Sequence, residues 1–112
     1  MSSVSLTFST VNHNSKLYFT KYELTMILSC YSLGVSKGNW KDYSIDYKKN
    51  EASFFIYKHS LAFPEYALIK YTKHKTNKYF YKLKTVEKSN KEIENIEGLI
   101  AILKRKNIKM IQ

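Results

Sequence analysis

Apolar residues recur every three or four positions early in the chain, which predicts an amphipathic helix from about residue 21 to 36. The helix follows Thr20-Lys21-Tyr22-Glu23, a capping box in which the Thr20 hydroxyl and the Glu23 carboxylate satisfy each other's backbone amides. Gly38 can adopt the left-handed conformation that ends such a helix. The apolar positions of the helix are Leu24, Ile27, Leu28, Tyr31 and Val35.

The apolar spacing then changes from helical to alternating, which is typical of strands. Strands are predicted at about 40–47, 52–58, 65–72 and 79–86, joined by short polar turns. Short connections favour an antiparallel meander, because parallel neighbours need long crossovers. Two further short strands are candidates, one at Val4–Phe8 and one at Lys16–Phe19 that would extend the sheet.

A second helical pattern follows the strands, at about 91–106, with Asn90 as the expected N-cap. Acidic residues lie in its first half and Lys104, Arg105 and Lys106 end it, as the helix dipole favours. The elements together predict an α+β fold: a four-stranded antiparallel β-meander with one helix before it and one after it. One domain is expected at 16–106, with a flexible leader at 1–15 and a short C-terminal tail at 107–112.

Length and composition suit a single domain with a real core, since 44% of the 112 residues are hydrophobic. No apolar run is long enough to span a bilayer, so no membrane insertion is expected. The only cysteine, Cys30, excludes a disulfide framework and fits a reducing compartment. The expected localisation is cytoplasmic.

The chain carries 19 basic and 9 acidic residues, a formal charge of +10, which favours a polyanionic partner such as RNA or single-stranded DNA. Arg105 is the only arginine. Lysine suits non-specific phosphate contacts better than the reading of base edges. AT-rich codon usage would also enrich lysine, and the sequence does not separate these two causes.

The third and fourth strands and their turn interleave lysines with aromatic rings, a combination that binds single-stranded nucleic acid through charge and stacking. Alternation places Tyr79, Tyr81 and Leu83 in the core and leaves Phe80 on the other face with two lysines. The alternative is a solvated edge hairpin whose lysines prevent aggregation. The candidate nucleic-acid-binding residues are Lys70, Lys73, Lys75, Lys78, Phe80, Lys82 and Lys84.

The second strand is apolar on both faces, which supports a different hypothesis. Two helices have only limited surface to cover a sheet, so Phe54 or Phe55 could contact a protein partner or a second copy of the chain. A protein-interaction or homo-oligomeric adaptor therefore stands as the alternative function.

Catalytic and metal-binding motifs are missing from the sequence. It contains no G-x-S-x-G elbow and no glycine-rich phosphate loop, and His13, His59 and His74 are scattered. Asp42 and Asp46 are four residues apart on a strand, about 13 Å, which is wide for a glycosidase carboxyl pair. We expect a non-catalytic protein with no catalytic residues, metal or cofactor, and an enzyme is the third hypothesis.

The run from Gly38 to Asp46, G-N-W-K-D-Y-S-I-D, is the most distinctive part of the chain. Its motif residues are interpreted as structural, with Trp40 packing across the helix–strand junction and Asp42 bonding nearby amides or a lysine. The alternative is an acidic and aromatic surface that binds a partner's cation. The motif residues are Gly38, Trp40, Asp42, Tyr43 and Asp46.

With Phe19–Tyr31 before it, this run resembles a small alphaproteobacterial family of unknown function with a G-x-W-R/K-D-Y-x-I-D signature. The resemblance spans about residues 16–106. It implies a bacterial cytoplasmic protein with a single α+β domain, and it implies no activity.

Overall fold

The computed structural model describes residues 15–59, 63–73, 76–86 and 91–109, with only the backbone of the last one. Its sheet has the order β1-β2-β3-β4, and every neighbouring pair is antiparallel. The predicted α+β meander, with one helix before and one after it, is confirmed. The elements are α1 (Lys21–Ser36), β1 (Asp42–Tyr47), β2 (Glu51–Tyr57), β3 (Tyr66–Thr72), β4 (Tyr79–Thr85) and α2 (Ile96–Lys109).

Helix α1 begins and ends where the sequence predicts. The Thr20 hydroxyl accepts from the Glu23 amide at 3.0 Å, and the Thr20 amide donates to the Glu23 carboxylate at 2.9 Å. The capping box is therefore complete. Gly38 follows the helix with φ +79°, a left-handed conformation that favours glycine.

Trp40 fixes the junction between α1 and β1. It is 1% exposed, and its ring stacks at 6.2 Å from that of Tyr31 and meets Tyr66 edge-on. The indole lies against Gly34 of α1, where any Cβ would overlap the ring. A glycine that weakens the helix by its propensity is thus what lets Trp40 enter the core.

Helix α2 begins at Ile96, so the predicted start near residue 91 is wrong. Asn95 caps the helix, because its Oδ1 accepts from the Gly98 amide at 2.8 Å. Ile93 is not helical: it forms a bridge to Tyr81, with two backbone hydrogen bonds of 2.8 Å. This pairing extends the sheet past β4 by one residue, and the helix therefore begins later in the sequence than predicted.

The end of α2 also differs from the prediction, because the helix runs to Lys109 instead of 106. Asn107, expected in the C-terminal tail, is buried and accepts a hydrogen bond from the Asn39 side chain. Asn39 donates to the Asn107 backbone carbonyl as well, at 3.2 Å. These bonds tie the last turn of α2 to the loop that precedes β1.

The strand predicted at residues 16–19 is wrong, because this segment has no regular secondary structure. One backbone bond joins it to the sheet, from the Leu17 amide to the Lys48 carbonyl at 2.7 Å. The next carbonyl, that of Tyr18, accepts from the Lys70 ammonium group instead of from a strand. The Val4–Phe8 candidate and nearly all of the leader lie outside the described residues.

Both helices pack on one face of the sheet and bury its central side chains. Phe54, Ile56 and Leu68 of the sheet and Ile27 and Leu99 of the helices are fully buried there. No helix in the described part of the chain is long and apolar enough to cross a membrane. We call the opposite sheet face, which neither helix covers, the open face. By register and alternation it carries Asp42, Ser44, Asp46, Glu51, Ser53, Phe55, Tyr57, Ala67, Ile69, Tyr71, Phe80, Lys82 and Lys84.

Candidate functional site

The open face changes from acidic to basic across the four strands. The paired row Asp46, Ser53, Ile69 and Lys82 shows this order, since Asp46 lies on β1 and Lys82 on β4. Between them Ser53 and Ile69 are buried, 3% and 4% exposed, by their neighbours on the face. The open face contains two surfaces of interest: a basic and aromatic surface along β4, and an apolar depression at the centre of the face.

The first surface is the basic–aromatic strip, formed by Tyr71, Lys73, Phe80, Lys82 and Lys84. The Tyr71 and Phe80 rings are tilted neighbours with centroids 6.0 Å apart. The ammonium group of Lys73 lies 4.5 Å from the Phe80 centroid, and that of Lys82 lies 4.8 Å from the Tyr71 centroid. These are cation–π contacts at a solvent-accessible site, which are weak enough for a phosphate to displace.

One end of the strip is held by a carboxylate. Glu92 accepts from the Tyr71 hydroxyl at 2.8 Å and forms an ion pair with Lys73 at 2.8 Å. The hydrogen bonds from Lys73 and Tyr71 lower the pKa of Glu92. Burial and the bond to Glu92 raise the pKa of Tyr71 to about 12. Glu92 thus occupies a position that an anionic ligand of Lys73 would take.

Lys70, a candidate nucleic-acid-binding residue, is inaccessible to a ligand on the open face. It is 2% exposed and lies on the helix side of β3. Its ammonium group contacts the Glu23 carboxylate at 2.9 Å and the Tyr18 carbonyl at 2.9 Å. The prediction that it binds nucleic acid is wrong. Alternation with Leu68, two positions earlier on β3, was the signal that could have placed it in the core.

Glu23, Lys70 and Tyr81 form a buried polar cluster beneath α1. The Tyr81 hydroxyl donates to the carboxylate oxygen of Glu23 that Lys70 does not contact. Burial alone would raise the pKa of Glu23, but the bonds from Tyr81 and Lys70 lower it overall. Burial and Glu23 raise the pKa of Tyr81. Since the three side chains satisfy one another, the cluster holds α1 on the sheet.

The structure brings three of the predicted binding residues together on the open face: Phe80, Lys82 and Lys84. Lys78 is exposed in the turn that precedes β4, while Lys75 lies outside the described residues. Lys73 belongs to the strip, but its charge is already paired with Glu92.

The core prediction for β4 holds at two of its three positions. Tyr81 and Leu83 are buried at 6% and 5% exposure, whereas Tyr79 is 48% exposed. Tyr79 is the first residue of β4, and the Lys70 ammonium group lies 4.5 Å from its ring centroid.

The motif residues of β1 make local contacts. Asp42 accepts from the amide of Tyr43 at 2.8 Å, and the Tyr43 ring stacks on Phe54 with centroids 4.9 Å apart. Asp46 lies 3.9 Å from the Lys48 ammonium group at an exposed site. The two aspartates share the open face but are separated by Ser44.

The second surface is a depression at the centre of the open face, which we call the basin. Its volume is about 360 Å³, within the range of small-ligand sites. Ser53, Ala67 and Ile69 form its buried floor, and Phe55 is half-buried beside them. Sequence reasoning missed the basin because its residues come from several separate segments. Its charged rim consists of Lys48, Glu51, Glu65 and Lys84.

Two exposed apolar residues flank the same end of the basin. Phe63 is 91% exposed and precedes the lining residue Pro64, while Val86, which itself lines the basin, is 76% exposed. Exposed side chains of this size next to a depression mark a contact surface more often than isolated surface residues do.

Metal-ligating residues are dispersed in the described part of the chain, where no group of three His, Cys, Asp or Glu residues could hold an ion. Of the three histidines, His59 is exposed, and His13 and His74 lie outside the described residues. Cys30 is buried in α1, and burial raises the pKa of its thiol.

Fold and site together define a small α+β domain with one helical layer and an aromatic and basic sheet face that neither α1 nor α2 covers. Comparison with protein-family profiles matches residues 17–96 to DUF2794, a family described as proteins of unknown function. The chain belongs to this family. The match includes the capping box, the Gly38–Asp46 run and all four strands, and it ends at the first residue of α2.

No curated protein matches the chain, and no solved structure matches it either. The match to the family is shorter than the resemblance drawn from the sequence, which reached residue 106. The alphaproteobacterial origin and the family signature at Gly38–Asp46 stay predictions.

Proposed function

We propose that this chain is a non-catalytic module that binds RNA or single-stranded DNA along the basic–aromatic strip. One observation carries the proposal: Phe80, Lys82 and Lys84 lie beside Tyr71 on the sheet face that the helices leave uncovered. Lysines follow a phosphate backbone, and aromatic rings stack on bases of any sequence. Because neither kind of contact distinguishes one base from another, we expect little sequence specificity along the strip.

The cation–π contacts suggest how a strand would bind. Phosphates attract the ammonium groups of Lys73 and Lys82 away from the rings they now cover. The faces of Phe80 and Tyr71 then become available to bases. Phosphate binding and base stacking are thereby coupled, because the lysine that moves to a phosphate leaves a ring face free for a base.

The test is fluorescence anisotropy with labelled RNA, single-stranded DNA and duplex DNA of about 12 nucleotides, across a salt series. Neutralisation of three or four phosphates predicts a slope of log affinity against log salt of about −2 to −3 for single strands. Reversal of Lys82 and Lys84 to glutamate is expected to weaken binding at least about tenfold.

The matched control for charge reversal is Lys21→Glu, on an exposed site in the first turn of α1. This change has the same effect on net charge as Lys82→Glu or Lys84→Glu alone, and a carboxylate at residue 21 suits the helix dipole. The proposal requires that Lys21→Glu retain binding that Lys82→Glu and Lys84→Glu, each made as a single variant, weaken. Binding that is absent at low salt, or equal loss in all three variants, contradicts it.

A second candidate is contact with a protein partner or a second copy of the chain, favoured by exposed Phe63 and Val86 at the basin. Phe54 cannot serve this function because it is fully buried, whereas Phe55 is half-buried on the open face. Light scattering over a concentration series measures self-association. A dimer that dissociates in Phe63→Ser/Val86→Ser would favour this candidate.

A further inference from the structure

The basin adjoins the basic–aromatic strip, and the two surfaces share Lys84. A strand whose phosphates lie along Lys82 and Lys84 therefore passes the edge of the basin. Unstacked bases of single strands are commonly splayed into protein sites and read on their Watson–Crick edges. The basin is within reach of one base of such a strand.

The lining of the basin offers the kinds of contact that a base makes. Ala67 and Ile69 of β3 provide an apolar floor, and Phe55, which pairs with Ala67 from β2, lines the basin with a ring on which a base can stack. Glu51 and Glu65 bring carboxylates to the rim. Carboxylates accept hydrogen bonds and cannot donate them, so they select groups that donate.

The two carboxylates differ in how they are engaged. Glu51 accepts from the Ser53 hydroxyl at 3.3 Å. Within the described residues, the Glu65 carboxylate makes no hydrogen bond or ion pair of its own, and only its backbone amide is bonded, to the Ile56 carbonyl. Among the described residues, Glu65 is thus the rim carboxylate with the greater unused capacity to accept a hydrogen bond from a ligand.

On these grounds, and resting on the proposed function, we propose that the basin is a subsite for one splayed base that carries an exocyclic amino group. Glu65 accepts from the amino group, as acidic side chains do from cytosine N4. Uracil and thymine present carbonyl oxygens on both sides of their single N–H, and these oxygens are repelled by a carboxylate. The subsite thus adds a base preference at one position of a strand that is otherwise bound without specificity.

The experiment compares oligocytidine with oligouridine of about 12 nucleotides by fluorescence anisotropy at one salt concentration. The two probes have the same charge and ring size. Their bases differ in the group at C4, amino in cytosine and carbonyl in uracil, and in N3, which carries a hydrogen only in uracil. The wild-type protein is expected to bind oligocytidine about fivefold more tightly, the effect of one charge-assisted hydrogen bond partly offset by desolvation. Glu65→Gln is expected to reduce this preference to below about twofold, because the amide can bond either pyrimidine.

Glu94→Gln is the matched control, since Glu94 is exposed and lies outside the basin. It makes the same change in charge and is expected to keep the full preference for oligocytidine. Fluorescence of Trp40, the only tryptophan, checks that each variant is folded.

The outcomes separate the two proposals. Equal binding of both probes by the wild type, lost in Lys82→Glu/Lys84→Glu, overturns the base subsite and leaves the strip in place. A preference that Glu65→Gln retains also overturns the subsite. No binding of either probe overturns both proposals.

Discussion

At the scale of residues, the structure depends on a few buried contacts that span the chain. The Glu23–Lys70 pair joins α1 to β3 across 47 positions of sequence, and Tyr81 completes it from β4. Trp40 joins α1 to β1 through the space that Gly34 leaves. Both contacts lie between the helices and the sheet. Neither involves a residue of the open face that is proposed to bind a ligand.

Lys70→Met is expected to destabilise the protein by about 3–5 kcal/mol, because it leaves the Glu23 carboxylate buried without its cation. The double variant Glu23→Gln/Lys70→Met is expected to recover part of this loss, since it also removes the charge and Gln still fits the capping box. Urea unfolding followed by Trp40 fluorescence measures both. If Lys70→Met is no less stable than the exposed control Lys84→Met, the Glu23–Lys70 pair does not stabilise the protein.

Gly34→Ala is expected to lower stability by up to about 2 kcal/mol net. Overlap with the Trp40 ring costs about 1–3 kcal/mol, and the better helix propensity of alanine returns at most about 1 kcal/mol. Ser32→Ala, at an exposed position of the same helix, is the control and should be neutral or slightly stabilising. A stabilised Gly34→Ala protein would mean that the indole moves aside freely.

At the scale of elements, the segment between β4 and α2 decides two properties of the molecule. Ile93 pairs with Tyr81, which covers part of the β4 edge and sets the start of α2 at Ile96. Glu92, beside it, engages Lys73 and Tyr71 on the open face. Glu92 and Ile93, which the sequence pattern assigned to a helix, thus contact the sheet instead.

Asn95→Ala removes the cap of α2 and is expected to cost about 1 kcal/mol. Asn95→Ser should retain most of the stability, because a serine hydroxyl can accept from the same Gly98 amide. Thermal unfolding followed by circular dichroism compares them with Glu94→Ala, an exposed neighbour. Equal melting temperatures for Asn95→Ala and Glu94→Ala would contradict the capping role.

Glu92→Gln is expected to raise affinity for single-stranded RNA about two- to fivefold, because Lys73 then offers an unpaired charge to phosphate. The anisotropy assay measures this change, with Glu94→Gln as the control for net charge. If both variants bind equally, Glu92 does not compete with the ligand, and Lys73 should be omitted from the strip.

At the scale of the whole molecule, charge and hydrogen bonding define the pH range of stability. The carboxyl of Glu23 has a lowered pKa, so its stabilising effect is present above its ordinary value of 4.5 and is lost as pH falls through the folded value. Tyr71 and Tyr81 have raised pKa values, so their contribution is complete below about pH 10 and declines above it.

We therefore expect the free energy of unfolding to form a plateau near neutral pH and to fall on the acid side of about pH 4.5. Urea titrations at constant ionic strength from about pH 3 to about pH 9 measure it. The Glu23→Gln/Lys70→Met variant should show a shallower acid decline than the wild type. If the free energy of unfolding falls equally steeply with acid in the two proteins, the decline comes from other carboxyl groups.

Local patterns were enough to predict most of the fold. Helix α1 was predicted to the residue, and the strands within one or two positions, because periodicity and the capping box act over a few neighbouring residues. Phe80, Lys82 and Lys84 were placed on a common face for the same reason. Alternation within one strand requires no knowledge of what the strand packs against.

Tertiary structure decided the features that depend on distant parts of the chain. Lys70 looks like its neighbouring lysines in the sequence, and only the approach of Glu23 buries it. Ile93 fits a helical pattern, yet Tyr81 offers it a pair of backbone hydrogen bonds. The basin, with Glu65 at its rim, exists only once separate strands and turns are assembled. The sequence by itself thus determined which elements form, since their hydrogen bonds are local. The assembled sheet determined which charges remain accessible, because burial is a property of neighbours that are far apart in the chain.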